Sequence, residues 1–93
     1  MNNADNFRGN RLRVQAVAKR LSEEGYAVRR YTWWHKRKGD WSEVRTRDMY
    51  TVVYAMIDDM YPAWYSKQSS KYLFYREVAD VLRVPVEAPW PPN

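Results

Sequence analysis

Basic side chains and large aromatic rings alternate in one segment of the chain, from residue 29 to residue 47. Lysine and arginine contact phosphates and flat rings stack on nucleobases, so this combination is typical of a surface that binds single-stranded nucleic acid. Tryptophan and arginine are also the residues that most often anchor protein–protein interfaces. The predicted binding residues of this segment are Arg29, Arg30, Tyr31, Trp33, Trp34, Lys36, Arg37, Lys38, Trp41, Arg45 and Arg47.

Two further basic residues, Arg13 and Arg20, belong to the same predicted surface. They lie about two helical turns apart in the first predicted helix and so share one side of it. Positive charge is concentrated in the first half of the chain, which contains all of these residues. Residues 1–47 carry twelve Lys and Arg against five Asp and Glu, whereas residues 48–93 carry four against six. We therefore expect the first half to face an anionic partner.

Residues that could catalyse a reaction or hold a metal are scarce. The chain has one histidine, His35, and no cysteine, which excludes thiolate sites and histidine-rich metal sites. The basic residues that follow His35 supply no carboxylate to orient its ring. Asp58 and Asp59 resemble a carboxylate pair, but adjacent residues of a helix point in different directions. The sequence thus predicts no enzyme, no catalytic residue, no cofactor and no metal site.

Hydrophobic periodicity predicts an α+β fold with three helices and one antiparallel β-hairpin, in the order α-β-β-α-α. The helices are expected at 10–24, 47–61 and 70–82, and the hairpin at 26–45. The strongest periodic pattern is the apolar stripe of the second helix, which consists of Met49, Val52, Val53, Met56, Ile57 and Met60.

Local signals define the ends of these elements. Gly25 is expected to end the first helix, and Gly39 with Asp40 to form the hairpin turn. Thr46 is the predicted N-cap of the second helix, and Ser69 or Ser70 that of the third. Both faces of the hairpin mix apolar, aromatic and basic residues, so the pattern leaves open which face is buried.

A chain of 93 residues accommodates one domain, expected at residues 1–84. Residues 85–93 contain four of the five prolines and are expected to form an extended tail. No apolar run approaches the roughly 20 residues of a membrane-spanning helix, and the polar N-terminal residues do not resemble a secretory signal. We expect a soluble, intracellular, cytoplasmic protein.

The function predicted from these observations is binding without catalysis. The first hypothesis is a small basic protein that acts on nucleic acid, or on a nucleic-acid-processing complex, through the basic-aromatic hairpin. The alternative is an accessory or inhibitor protein of the phage type, which docks on a host enzyme complex through tryptophan and arginine anchors without touching nucleic acid. Neither a membrane nor a small-molecule substrate is an expected partner.

Overall fold

The computed structural model describes residues 3–62 and 71–91, with side chains from residue 9 onward within those ranges. The first helix, α1, spans Asn3–Glu23 and begins well before the predicted residue 10. Gly9, just before the predicted start, costs only about 1 kcal/mol relative to alanine inside a helix, which is too little to end one. Gly25 does end the helix in the left-handed region, with a φ of 89°, as predicted.

Three antiparallel strands follow α1, where the sequence predicts two. They are β1 (Tyr26–Arg29), β2 (Thr32–Arg37) and β3 (Asp40–Val44). A turn at Arg30 and Tyr31 divides the segment that was expected to be one strand, with Arg30 at a φ of 57°. Neither residue is a usual turn former, so the sequence carries no signal for this turn.

The turn between β2 and β3 forms where it was predicted. Lys38 and Gly39 have φ values of 50° and 87°, and positive φ at both central residues is what a type I′ hairpin turn requires.

Two helices and a fourth strand complete the fold. They are α2 (Thr46–Met60), α3 (Lys71–Leu82) and β4 (Arg83–Val84). Strand β4 pairs in parallel with β1, so the sheet order is β3-β2-β1-β4. The predicted order α-β-β-α-α is therefore corrected to α-β-β-β-α-α-β. A two-residue strand is too short to show a periodicity of two, which explains why the sequence pattern missed it.

The start of α2 also differs from the prediction. Arg45, not Thr46, occupies the N-cap position, and its side chain makes no capping hydrogen bond. Thr46 is already the first helical residue. The predicted caps of the third helix, Ser69 and Ser70, lie outside the described residues.

The helices cover one face of the sheet and form a two-layer α+β fold, as predicted. Val28 of β1 and Trp33 of β2 pair across the strands and are buried with the apolar stripes of the helices. From α2, Met49, Val53, Met56 and Ile57 are buried, which confirms most of the predicted stripe. Within the described ranges, no helix combines the length and apolarity needed to span a membrane.

Candidate functional site

Four of the predicted binding residues come together on the face of the sheet opposite the helices. Strand register places Trp34 beside Ala27, and Lys36 beside Trp41. Arg29 shares this outer face, because it lies two residues beyond Ala27 on β1. We call this surface the tryptophan face and define it by Arg29, Trp34, Lys36, Trp41 and the tail residue Trp90.

Trp90 joins the tail to this face. Its ring centroid lies 5.4 Å from that of Trp34 and 5.7 Å from that of Trp41. The guanidinium of Arg29 lies 5.4 Å from the centroid of the Trp90 ring, within the range of a cation–π interaction. The three indoles are half-buried. The sequence assigns Trp90 to an extended tail, and its place in the cluster follows only from the fold.

The hairpin tip adds exposed cations at one end of the sheet. Lys36, Arg37 and Lys38 are all exposed. Nε of Arg37 donates a hydrogen bond to Nδ1 of His35 over 3.3 Å, and Nε2 of His35 lies 3.0 Å from the carbonyl oxygen of Glu24. This arrangement requires the proton of the His35 ring to sit on Nε2. Both ring nitrogens of the single histidine thus have protein partners.

Trp33 does not lie on the tryptophan face. It packs in the core on the opposite face of the sheet and lines the cleft described below. It is 2% exposed, and its Nε1 donates a hydrogen bond to the hydroxyl of Tyr75 over 2.7 Å. Adjacent residues of a strand point to opposite faces, so only one of Trp33 and Trp34 can face outward. The sequence pattern could not identify which, because both faces of the hairpin carry aromatic rings.

Arg13 and Arg20 also lie apart from the tryptophan face, in the helical layer. The guanidinium of Arg13 lies 5.7 Å from the Tyr61 ring centroid. Arg20 forms ion pairs with Asp59 at 2.9 Å and with Glu24 at 3.2 Å. The hydrogen bond to Asp59, followed by that to Glu24, raises the pKa of Arg20. Two carboxylates thus offset the charge of Arg20.

Of the remaining predicted residues, Tyr31 lies at a second surface, at the other end of the sheet, whereas Arg45 lines a separate pocket with His35 and Arg37. Arg30 and Tyr31 form the turn between β1 and β2, and Arg45 and Arg47 flank Thr46 at the start of α2. Tyr31 and Thr46 both line a cleft of about 650 Å³. We call it the tyrosine cleft, after the lining residues Tyr31, Tyr50, Tyr72 and Tyr75, which are accompanied by Arg76 and Arg83.

Aromatic contacts between α2 and α3 form the wall of this cleft. The ring centroid of Tyr50 lies 4.5 Å from that of Tyr75 and 6.2 Å from that of Tyr72. Five residues of the cleft were not predicted from the sequence as binding residues: Tyr50, Tyr72, Tyr75, Arg76 and Arg83. A signal was present in the helical spacing of Tyr72, Tyr75 and Arg76, which places all three on neighbouring positions of one helix surface.

Burial raises the pKa of the Tyr75 hydroxyl to about 12, from an ordinary value of 10.0. The folded state therefore holds this proton more tightly than the unfolded chain. The resulting stabilisation is fully present below about pH 10 and is lost as the pH rises towards 12. We expect NMR of tyrosine labelled at Cζ to show a Tyr75 phenol whose pKa lies well above 10.0. The Tyr75→Phe variant should lack that signal, and its presence there would contradict the assignment.

Neither the arrangement of possible metal ligands among the described residues nor similarity to known proteins indicates a reaction or a cofactor. Among the described residues, no group of three or more His, Cys, Asp or Glu side chains is arranged to hold a metal ion. No protein-family model, no curated protein and no solved structure matches this chain.

Proposed function

We propose that this protein binds single-stranded nucleic acid, without catalysis, through the tryptophan face and the hairpin tip. The observation that carries the proposal is the position of Arg29 and Lys36 beside the rings of Trp41 and Trp90 on the side of the sheet that the helices leave uncovered. Cations that follow a phosphate backbone and rings that receive bases are the two parts of a sequence-tolerant single-strand site.

In this proposal the indoles of Trp34, Trp41 and Trp90 have different roles. Trp34 packs edge-on against Trp90 and its Nε1 is buried, so in this proposal Trp34 serves mainly to hold the cluster together. Trp41 and Trp90 provide the surfaces for bases, each stacked base contributing about 1–3 kcal/mol. The rings already contact each other at an angle of 47°.

Charge at the hairpin tip extends the site beyond the indoles. The side chains of Lys36, Arg37 and Lys38 are exposed at the end of β2, where a strand that crosses the sheet would continue. Each phosphate contact releases condensed counterions, so affinity should fall with salt. With four to six contacts, the slope of log affinity against log salt should be roughly −3 to −4 for a single strand.

The test is fluorescence anisotropy of a labelled oligothymidylate over a series of salt concentrations. The double variant Lys36→Ser with Lys38→Asn should bind more weakly, with a slope less steep by about 1.4 because two contacts are lost. Asparagine is chosen at residue 38 because it tolerates positive φ. The melting temperature should be nearly unchanged, as is usual for solvated positions.

The matched control is the double variant Arg11→Ser with Lys19→Ser, which removes the same charge from exposed positions of α1. It should retain the wild-type slope. Equal losses in both double variants would show that only net charge matters and would remove the proposed site. Absence of binding at low salt, together with a protein partner that survives nuclease treatment of a lysate, would favour docking on a protein complex instead.

A further inference from the structure

We propose that the tyrosine cleft binds a single nucleotide, with its base against a tyrosine ring and its phosphate on arginine. This site lies apart from the tryptophan face and does not depend on the function proposed for that face. Of the residues argued below to contact the nucleotide, only Tyr31 was predicted from the sequence to bind nucleic acid. The nucleotide can be a free mononucleotide or one nucleotide of a longer strand, since both present the same base and phosphate.

Two exposed rings at the cleft can receive a base. Tyr31 is 87% exposed at the tip of the β1–β2 turn, and Tyr72 is 51% exposed at the start of α3. Large aromatic rings that remain exposed beside a cleft are suited to stacking on a ligand ring. The cleft volume of about 650 Å³ lies within the range of roughly 300–1,000 Å³ that is usual for small-molecule sites.

Each of these rings has a guanidinium beside it. Arg83 lies 5.4 Å from the centroid of Tyr31, and Arg76 lies 5.9 Å from that of Tyr72. Arg83 is held in place by Asp80 and by the carbonyl oxygen of Arg30. Arg76, by contrast, has no carboxylate partner among the described residues. Its fork of N–H donors matches the geometry of a phosphate group.

A hydroxyl at the inner wall supplies a donor for the base. Tyr75 is 5% exposed, lines the cleft, and accepts the Nε1 hydrogen bond of Trp33. A tyrosine oxygen that accepts one bond still carries a proton to donate. No acceptor for that proton lies among the described residues. A carbonyl oxygen or ring nitrogen of a base would satisfy it, and a buried donor left unsatisfied is costly.

The test compares isothermal titrations with uridine monophosphate, uridine and inorganic phosphate. Wild-type protein should bind the monophosphate more tightly than either fragment. Arg76→Gln should weaken binding of the monophosphate at least tenfold and leave uridine little affected, because it removes the phosphate contact alone. Tyr31→Ser should weaken both the monophosphate and uridine. The control Arg11→Gln, which removes an exposed charge from α1, should behave as wild type.

Oligothymidylate distinguishes the two sources of the nucleotide. If the monophosphate does not bind, but Arg76→Gln and Tyr31→Ser each weaken the oligonucleotide and Arg11→Gln does not, the cleft takes a nucleotide of a strand and the proposal stands. If the wild-type protein binds none of these ligands at the cleft, so that Arg76→Gln and Tyr31→Ser behave as wild type throughout, the proposal is wrong. That result would not affect the tryptophan face, which the Lys36 and Lys38 variant tests separately.

Discussion

Replacement of Trp33 by alanine is expected to lower the free energy of unfolding by about 3–5 kcal/mol. The change empties a position that is 2% exposed, in the middle of the helix–sheet interface. It also removes the N–H group that donates to the Tyr75 hydroxyl. Since native proteins are stable by only about 5–15 kcal/mol, this loss is a large fraction of the total stability. Urea denaturation followed by circular dichroism measures the loss.

Two comparison variants test whether the loss of stability comes from the buried position of Trp33. Trp33→Phe keeps a ring in the core but lacks the donor, so it should destabilise the protein less than alanine does. Tyr31→Ser, at an 87% exposed position, should change stability by no more than about 0.5 kcal/mol. A Trp33→Ala variant as stable as wild type would contradict the buried position of Trp33.

The second large effect concerns the central helix. Ile57→Ala should cost about 2–5 kcal/mol, because Ile57 is 0% exposed and its removal leaves a cavity. The neighbouring Asp58→Asn is the control. Asp58 is exposed near the C-terminal end of α2, where a negative charge opposes the helix dipole, so its neutralisation should cost little or even stabilise.

Thermal and urea unfolding measure the stability of the Ile57→Ala and Asp58→Asn variants, and the oligonucleotide assay measures their binding. Asp59 is not suitable as the control, because its carboxylate pairs with Arg20. If Asp58→Asn abolished binding while the fold stayed intact, Asp58 would be a functional residue and our interpretation of it as solvated would be wrong.

The elements that could be predicted are those with a strong local signal. The stripe of α2 repeats over about three helical turns, and Gly25 and Gly39 mark positions where the backbone needs positive φ. By contrast, Arg30 adopts positive φ without any favourable residue type. The pairing of β4 with β1 depends on residues far apart in the chain. Both features result from tertiary packing, which local sequence patterns do not encode.

The same distinction applies to the binding surfaces. Four residues of the tryptophan face were predicted as binding residues because they are close together in sequence. A hairpin keeps such sequence neighbours close in space. The tyrosine cleft joins the β1–β2 turn to α2 and α3. Its residues come from three separate segments, so no single stretch of sequence shows them together. Only the packing of α3 against the other elements brings Tyr72 and Arg76 near Tyr31 and Tyr50.

The strand order of the sheet has a consequence for synthesis of the protein. Strands β1, β2 and β3 are contiguous in the chain, whereas the fourth strand, at Arg83 and Val84, is made last and pairs with β1. A nascent chain can therefore form the three-stranded meander while the far side of β1 still presents unpaired N–H and C=O groups. Such an open edge invites pairing with other chains. The part of that edge at Val28 and Arg29 stays open until residues 83 and 84 are made and pair with it.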